Sequence, residues 1–219
     1  MYYTEAFIQL RLLFINEEVF FNLLVVGKLQ EWNTDDLVAI IGPRKASKAE
    51  CMVAYSLAKK CAEKGKIVVS GLAEGIDTYA HRGALDGGGQ TIAILSTSIA
   101  ENIFPSFNQQ LAEDIKEKGS LIHLYELSSR AADKKFGKIK HEKPRYILRL
   151  LERDIYLAHI CPTIIAVSTK RIRGGTRWGV NYGLRFNKDV WQYNSKGKAI
   201  NLNYVKAEVD WTMELQYLL

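Results

Sequence analysis

Residues 66–95 read KIVVSGLAEGIDTYAHRGALDGGGQTIAIL, and this stretch decides the fold. It opens on one short apolar run, KIVVS (66–70), and closes on another, TIAIL (91–95). Neither run alternates with polar residues, so both read as strands buried on two faces. Between them, SGLAEG (70–75) places glycines at a strand-to-helix turn. Asp77 stands at the head of a helix that runs to Asp86, and Gly87, Gly88 and Gly89 end it. A strand, a helix and a second strand in one such unit predict a right-handed crossover between parallel neighbours, with the helix covering the sheet.

The same alternation continues in both directions. Upstream, LVAII (37–41) is a continuous apolar run followed by a turn at 42–45. A helix over 47–64 follows, with Ala49, Val53, Leu57 and Cys61 on one face and Gly65 as its stop. Downstream, a helix over 106–118 begins after Pro105 and precedes the strand LIHLY (121–125). Residues 127–143 are polar and basic without a hydrophobic period and read as a long loop. A helix over 146–159, the strand TIIAV (163–167), a basic loop at 170–176, a helix over 177–186 and a strand over 189–193 complete the series. The pattern predicts an α/β fold, a doubly wound and mostly parallel sheet with helices on both faces, over residues 34–193. In residues 1–33, Phe7, Leu10, Phe14, Val19, Phe20, Leu23 and Leu24 recur near a 3.6 period and predict a helical extension packed on the core or on another subunit. Residues 194–219 form a tail in which a strand over 200–205 and a helix over 209–219 are expected.

Composition narrows the function classes. With 219 residues the chain suffices for one sizeable domain, and 47% hydrophobic residues exclude wholesale disorder. A net charge of +6 and a pI near 9.1 fit a polyanionic partner without establishing one. Cys51, Cys61 and Cys161 are widely spaced and odd in number, which argues against a disulfide framework and for a reducing compartment. His81, His123, His141 and His159 show no metal-ligand spacing, so neither metal nor cofactor is expected. The longest clean apolar stretch, 19–27, contains Asn22 and is too short to span a bilayer. A cytoplasmic protein with no membrane association is therefore expected.

In open parallel sheets ligands bind beyond the carboxyl ends of the strands, so the loops there are the candidates. GPRK (42–45) combines Gly42 with Arg44 and Lys45 at a helix N-terminus. The free N–H groups and partial positive charge there favour an anion, and the guanidinium adds a planar fork for phosphate oxygens. In the second loop, Ser70, Gly71 and Gly75 offer a hydroxyl and backbone amides, while Asp77 caps the helix and His81 lies one turn on. The third loop supplies Phe104, an aromatic able to stack on a base, and Asn108, able to bond a base edge or sugar. The fourth, KRIRGGT (170–176), groups Arg173, Gly174, Gly175 and Thr176, with Thr176 placed to cap the next helix. Lys134, Lys135, Lys138, Lys140, Lys143 and Arg145 form a cationic run in the long loop.

Read together, VAIIGPRKAS (38–47), VVSGLAEGIDTYAHRGALDGGGQTIAIL (68–95) and FPSFNQQLAEDI (104–115) resemble the Rossmann-like core of the DNA-processing protein A (DprA/Smf) family. Weaker similarity extends through 153–167 and 173–191. The resemblance implies a non-enzymatic protein that binds single-stranded DNA in a basic pocket, dimerises, and has a recombinase as partner in DNA processing, recombination or uptake. It places Gly42, Arg44, Ser70, Gly71, Gly75, Asp77, His81, Phe104, Pro105, Asn108, Gly175 and Thr176 on the family's motifs, and Arg153 on an arginine of its Arg-Asn-Arg. Glu74 stands where the family usually carries arginine, Asp154 and Ile155 where it carries Asn-Arg, and Ser168 where an acidic residue usually ends the strand. Two other functions stay open: a small-nucleotide sensor, and a nucleotide phosphoribohydrolase, for which no glutamate follows on the helix at 177–187.

Overall fold

The crossover at 66–95 forms as expected. β4 (Ile67–Ser70) and β5 (Thr91–Leu95) are parallel neighbours joined by α2 (Ile76–Asp86). The computed structural model describes residues 4–14, 17–28, 32–97, 103–125 and 145–204. Within them, β3 (Leu37–Ile41) precedes α1 (Lys48–Glu63), and α3 (Gln109–Lys118) precedes β6 (Ser120–Tyr125). Then come α4 (Arg145–Ile160), β7 (Thr163–Val167), α5 (Gly174–Arg185), β8 (Asp189–Tyr193) and β9 (Ala199–Asn201). The cationic run at 134–143 lies outside the described residues, as does the helix expected over 209–219.

Among the described residues, nine strands form one sheet. Its parallel centre runs β6-β5-β4-β3-β7-β8, and β9 adds an antiparallel edge on β8. α1 and α2 cover one face over Val38, Ile40, Val68, Ile165 and Val167. On the other face, Tyr156, Leu157, Trp178 and Tyr182 of the later helices pack on Ala39, Val69, Ile92 and Ile164. The uninterrupted apolar runs are thus explained: every residue of β3 and β5 is buried.

The helical extension over 1–33 is corrected. Residues Thr4–Phe14 form β1 and Glu17–Gly27 form β2, an antiparallel pair joined to the sheet by Asn22↔Tyr125 through Gly27↔Ser120. Its apolar residues also satisfy a period of two, as Ala6, Ile8, Leu10, Leu12 and Phe14 show. Over so short a run either period fits, and the free edge of β6 selects the strand by satisfying its backbone N–H and C=O groups. The strand expected over 200–205 is corrected: it forms over Ala199–Asn201, and residues 202–204 turn away from it.

Strand order reverses at β3. The chain steps outward through β4, β5 and β6, then returns to the other side of β3 as β7. The crevice between the carboxyl ends of β3 and β7 is the topological switch point, where open α/β sheets bind ligands.

Candidate polyanion site at the switch point

A cleft of about 590 Å³ lies at this point. Pro43 and Lys45 line it from the loop after β3, and Ser168, Lys170, Arg171 and Arg173 from the loop after β7. Arg44, Lys45, Lys170, Arg171 and Arg173 are all exposed. Their cations therefore stand in water at the rim, where a polyanion can reach them.

Beneath the rim, the helix N-termini are supplied with carboxylates from the chain itself. At α1, Ser47 and Glu50 form a capping box. Ser47 donates from its N–H and its Oγ to Glu50 Oε2, each at 2.8 Å, while Thr169 N–H donates to Glu50 Oε1 at 2.6 Å. Burial pushes the Glu50 carboxyl up, but these donors outweigh it and hold the group at about 2. Glu50 thus ties the first loop to the fourth and occupies the place predicted for phosphate at the head of α1.

At α2, Gly75 is the N-cap at φ +83°, a left-handed conformation that favours glycine. A Cβ there would strike the backbone oxygens of Pro43 and Arg44, so Gly75 also permits the second loop to pass under the first. Asp77 sits inside the first turn and accepts from Ala73 N–H at 3.3 Å, so it pins the loop instead of standing at the N-cap as expected. Gly71 faces the same cluster: a Cβ there would collide with the Arg153 guanidinium.

Arg153 is not the free cation that was expected. Its Nε and Nη2 donate to Asp154 Oδ1 at 3.0 and 2.8 Å, and its Nη1 donates to the Gly71 carbonyl at 3.2 Å. Burial pushes Asp77 up to about 6, against the pull of Arg153 and with the help of Asp154. Asp154 is likewise raised by burial while Arg153 and Arg44 draw it down, which places Arg44 within electrostatic reach of this floor. Asp154 Oδ2 also lies 3.1 Å from the position a Cβ would take on Gly175 in the first turn of α5.

Several other expected contacts are redirected. Ser70 is fully buried and its Oγ donates to the Ile40 carbonyl at 2.7 Å, so it does not meet a phosphate. Asn108 is fully buried; its Nδ2 donates to the Leu72 carbonyl at 3.0 Å and to Thr78 Oγ1 at 2.8 Å, which leaves no route to a base edge. These bonds instead anchor the third loop to the second. Thr176 does not cap α5: Arg173 is the N-cap, and Thr176 is buried in the first turn. Gly42 packs where a Cβ would overlap Ile76, and Gly174, exposed, has φ +59°. His81 is buried, and burial depresses its ring to about 3. Thr91 Oγ1 gives its proton to the Val68 carbonyl and so accepts from His81 Nδ1–H at 2.7 Å. That neutral ring faces neither the cleft nor solvent.

The third loop presents aromatic surface. Phe104 is 71% exposed, as a stacking role requires, and Phe107, not singled out from the sequence, is 57% exposed beside it. Phe107 follows Phe104 by three residues, a spacing visible in the sequence. Glu50 too was legible, from the S-x-x-E spacing with Ser47. Glu74 is exposed and does not line the cleft. Among the described residues no group of three His, Cys, Asp or Glu side chains is placed to hold a metal ion, and no helix is long and apolar enough to cross a membrane.

A profile of the family described as DNA recombination-mediator protein A matches residues 12–203. Among curated proteins, Protein Smf of Synechocystis sp. is 29% identical over 154 residues, 70% of this chain and 35% of that protein. The DNA processing protein DprA of Streptococcus pneumoniae is 38% identical over 78 residues, 36% of this chain and 27% of that protein. The matched stretches thus span about a third or less of these relatives. Among solved structures, S. pneumoniae DprA superposes with a TM-score of 0.62 at 24% identity, covering 78% of this chain and 54% of that one. DNA processing protein A from Helicobacter pylori, whose structure is described in terms of its single-stranded DNA binding mode, gives 0.62 at 22% identity over 78% and 71%. These superpositions carry the Rossmann-like fold.

Proposed function

This chain belongs to the DNA recombination-mediator protein A family, and on that premise we propose that it binds single-stranded DNA across the switch-point cleft. The observation that carries the reading is the convergence of Lys45 with Lys170, Arg171 and Arg173 around one cleft, with Arg44 exposed beside it. Phosphates bridge these rim cations, and Phe104 and Phe107 stack on unpaired bases. The backbone amides beneath contribute less than was expected, because Glu50 and Asp77 already accept from donors at the helix heads.

The site's chemistry favours binding over catalysis. His81 is buried and neutral, and Asp77 and Asp154 are committed to Arg153. The same reading has the protein act in the cytoplasm as a homodimer, with a recombinase as partner in recombination or DNA uptake. One observation favours a second reading, a nucleotide sensor: a cleft of about 590 Å³ falls within the range of small-ligand pockets.

Salt-titrated binding to single-stranded DNA, duplex and mononucleotides separates the two. Single-strand preference with a steep salt dependence is expected, and Arg44→Ala should flatten the log–log slope by about 0.7. An unchanged slope removes Arg44 from the phosphate contacts, and thermal stabilisation by a mononucleotide but not by oligonucleotides favours the sensor.

A further inference from the structure

The two edges of the sheet are unlike. At one end β9 spans three residues, Ala199–Asn201, and Lys198 precedes it. A short edge strand beside a lysine offers little backbone for pairing. At the other end β1 spans eleven residues, Thr4–Phe14, and among the described residues it pairs with β2 alone. Alternate residues of an antiparallel strand direct their N–H and C=O groups away from its partner. One side of β1 therefore carries a row of backbone groups that no described strand meets. Its sequence, TEAFIQLRLLF, holds no proline, lysine or glycine to discourage pairing, and seven of its eleven residues are apolar.

The hairpin also outruns its neighbour. β2 pairs with β6 over residues 22–27, so residues 10–14 and 17–21 form a two-stranded ribbon among the described residues. Two strands alone are marginal in water, whereas a wider sheet supports itself. A strand added to the outer side of β1 supplies that width.

The sequence of β1 fits a second copy of itself. Two identical strands pair antiparallel about a two-fold axis normal to the sheet, and opposed residues then share a face. With the axis at Ile8, Glu5 stands opposite Arg11 of the partner subunit, and Arg11 opposite the partner subunit's Glu5. On the other face Ala6 stands opposite Leu10 of the partner subunit, and Ile8 opposite its own copy. Moving the axis to Phe7 sets Glu5 opposite Gln9, and moving it to Gln9 sets Glu5 opposite Leu13. Of these positions only Ile8 pairs both charges of β1. Opposite charges on directly opposed residues stabilise a strand pair, and like charges destabilise it.

We infer that two copies of the chain join through β1, antiparallel about Ile8, into one sheet continuous across both subunits. This interface rests on the homodimer reading above, and β2, β6, β5 and β4 separate it from the switch point, so its test is independent of DNA binding.

Sedimentation of the full chain over a range of concentrations provides that test, and the wild-type chain should be dimeric. Glu5→Arg sets arginine against arginine, and Arg11→Glu sets glutamate against glutamate; each should weaken the dimer roughly tenfold or more. The double variant, Glu5→Arg with Arg11→Glu, should regain wild-type affinity. So should an equimolar mixture of the two single variants, because each charge then meets its opposite in the other subunit. Under mild oxidation Ile8→Cys should give a covalent dimer and Leu10→Cys should not, since the axis sets residue 8 alone against its own copy. A monomeric wild-type chain overturns the homodimer reading and the interface together. The interface alone is overturned if both single variants keep full affinity, if neither the double variant nor the mixture restores it, or if Ile8→Cys fails to cross-link.

Discussion

The floor and the rim of the switch-point cleft hold charges of the same kinds under opposite conditions. On the floor, Arg153 and Asp154 have side chains only 11% and 8% exposed, and both are locked by hydrogen bonds. On the rim, Arg44, Lys45, Lys170, Arg171 and Arg173 stand in solvent. Buried charges must be paired within the protein, because no water remains to solvate them. Exposed charges need no such partner and remain available to a ligand. Two arginines of similar promise in the sequence, Arg153 and Arg173, are therefore divided between scaffold and binding surface by their depth alone.

Removing Arg153 should break this contrast most severely. Arg153→Ala leaves Asp77 and Asp154 buried without their countercharge and should cost about 3–5 kcal/mol of stability, read by chemical denaturation. The loss should be smaller at pH 5 than at pH 8. Asp77 has a folded-state value of about 6, above its ordinary 3.8, so the native protein holds the extra proton between these values and loses the associated stability as pH rises through about 6. A loss independent of pH would remove Asp77 from the account.

Glu50 tests the opposite sign. Its folded value of about 2 lies below the ordinary 4.5, so its contribution is complete above pH 4.5 and disappears as pH falls toward 2. Glu50→Gln should cost about 2 kcal/mol at pH 7 through the weakened bonds from Ser47 and Thr169, and little near pH 2. Denaturation curves across that range check it.

The rim should respond in binding. Phe104→Ala should weaken single-strand binding by about 1–2 kcal/mol with its salt slope unchanged, since stacking releases no counterions. Fluorescence titration at several salt concentrations reads both quantities. The smallest expected effect sharpens the comparison furthest: Arg173→Ala should change stability by less than about 0.5 kcal/mol, because the residue is exposed, yet still lower the salt slope. A thermal melt that moves as far as that of Arg153→Ala would erase the distinction between floor and rim.

Much of the fold was legible in residues 34–193, because apolar strands of this length between amphipathic helices admit few arrangements. The hairpin at 4–27 was not, because β2 finds its partner β6 only after the chain has folded back: Gly27 pairs with Ser120. Within the site, Arg44, Lys45, Phe104 and Arg173 kept the exposure their proposed roles need. Ser70, Asn108 and Arg153 did not, since each is enclosed by segments distant in the chain. Asn108 bonds Leu72 and Thr78, and Arg153 bonds Gly71.

Local chemistry alone determined that the chain makes parallel crossovers, that its glycine turns sit at strand ends, and that cations gather in two of those turns. Hydrophobic period and residue type act over a few neighbouring positions and need no distant partner. Which of the polar residues would face water was decided only by tertiary structure. Enclosure is a property of every segment packed around a side chain, and a charge sealed from solvent must spend its attraction on the protein that surrounds it.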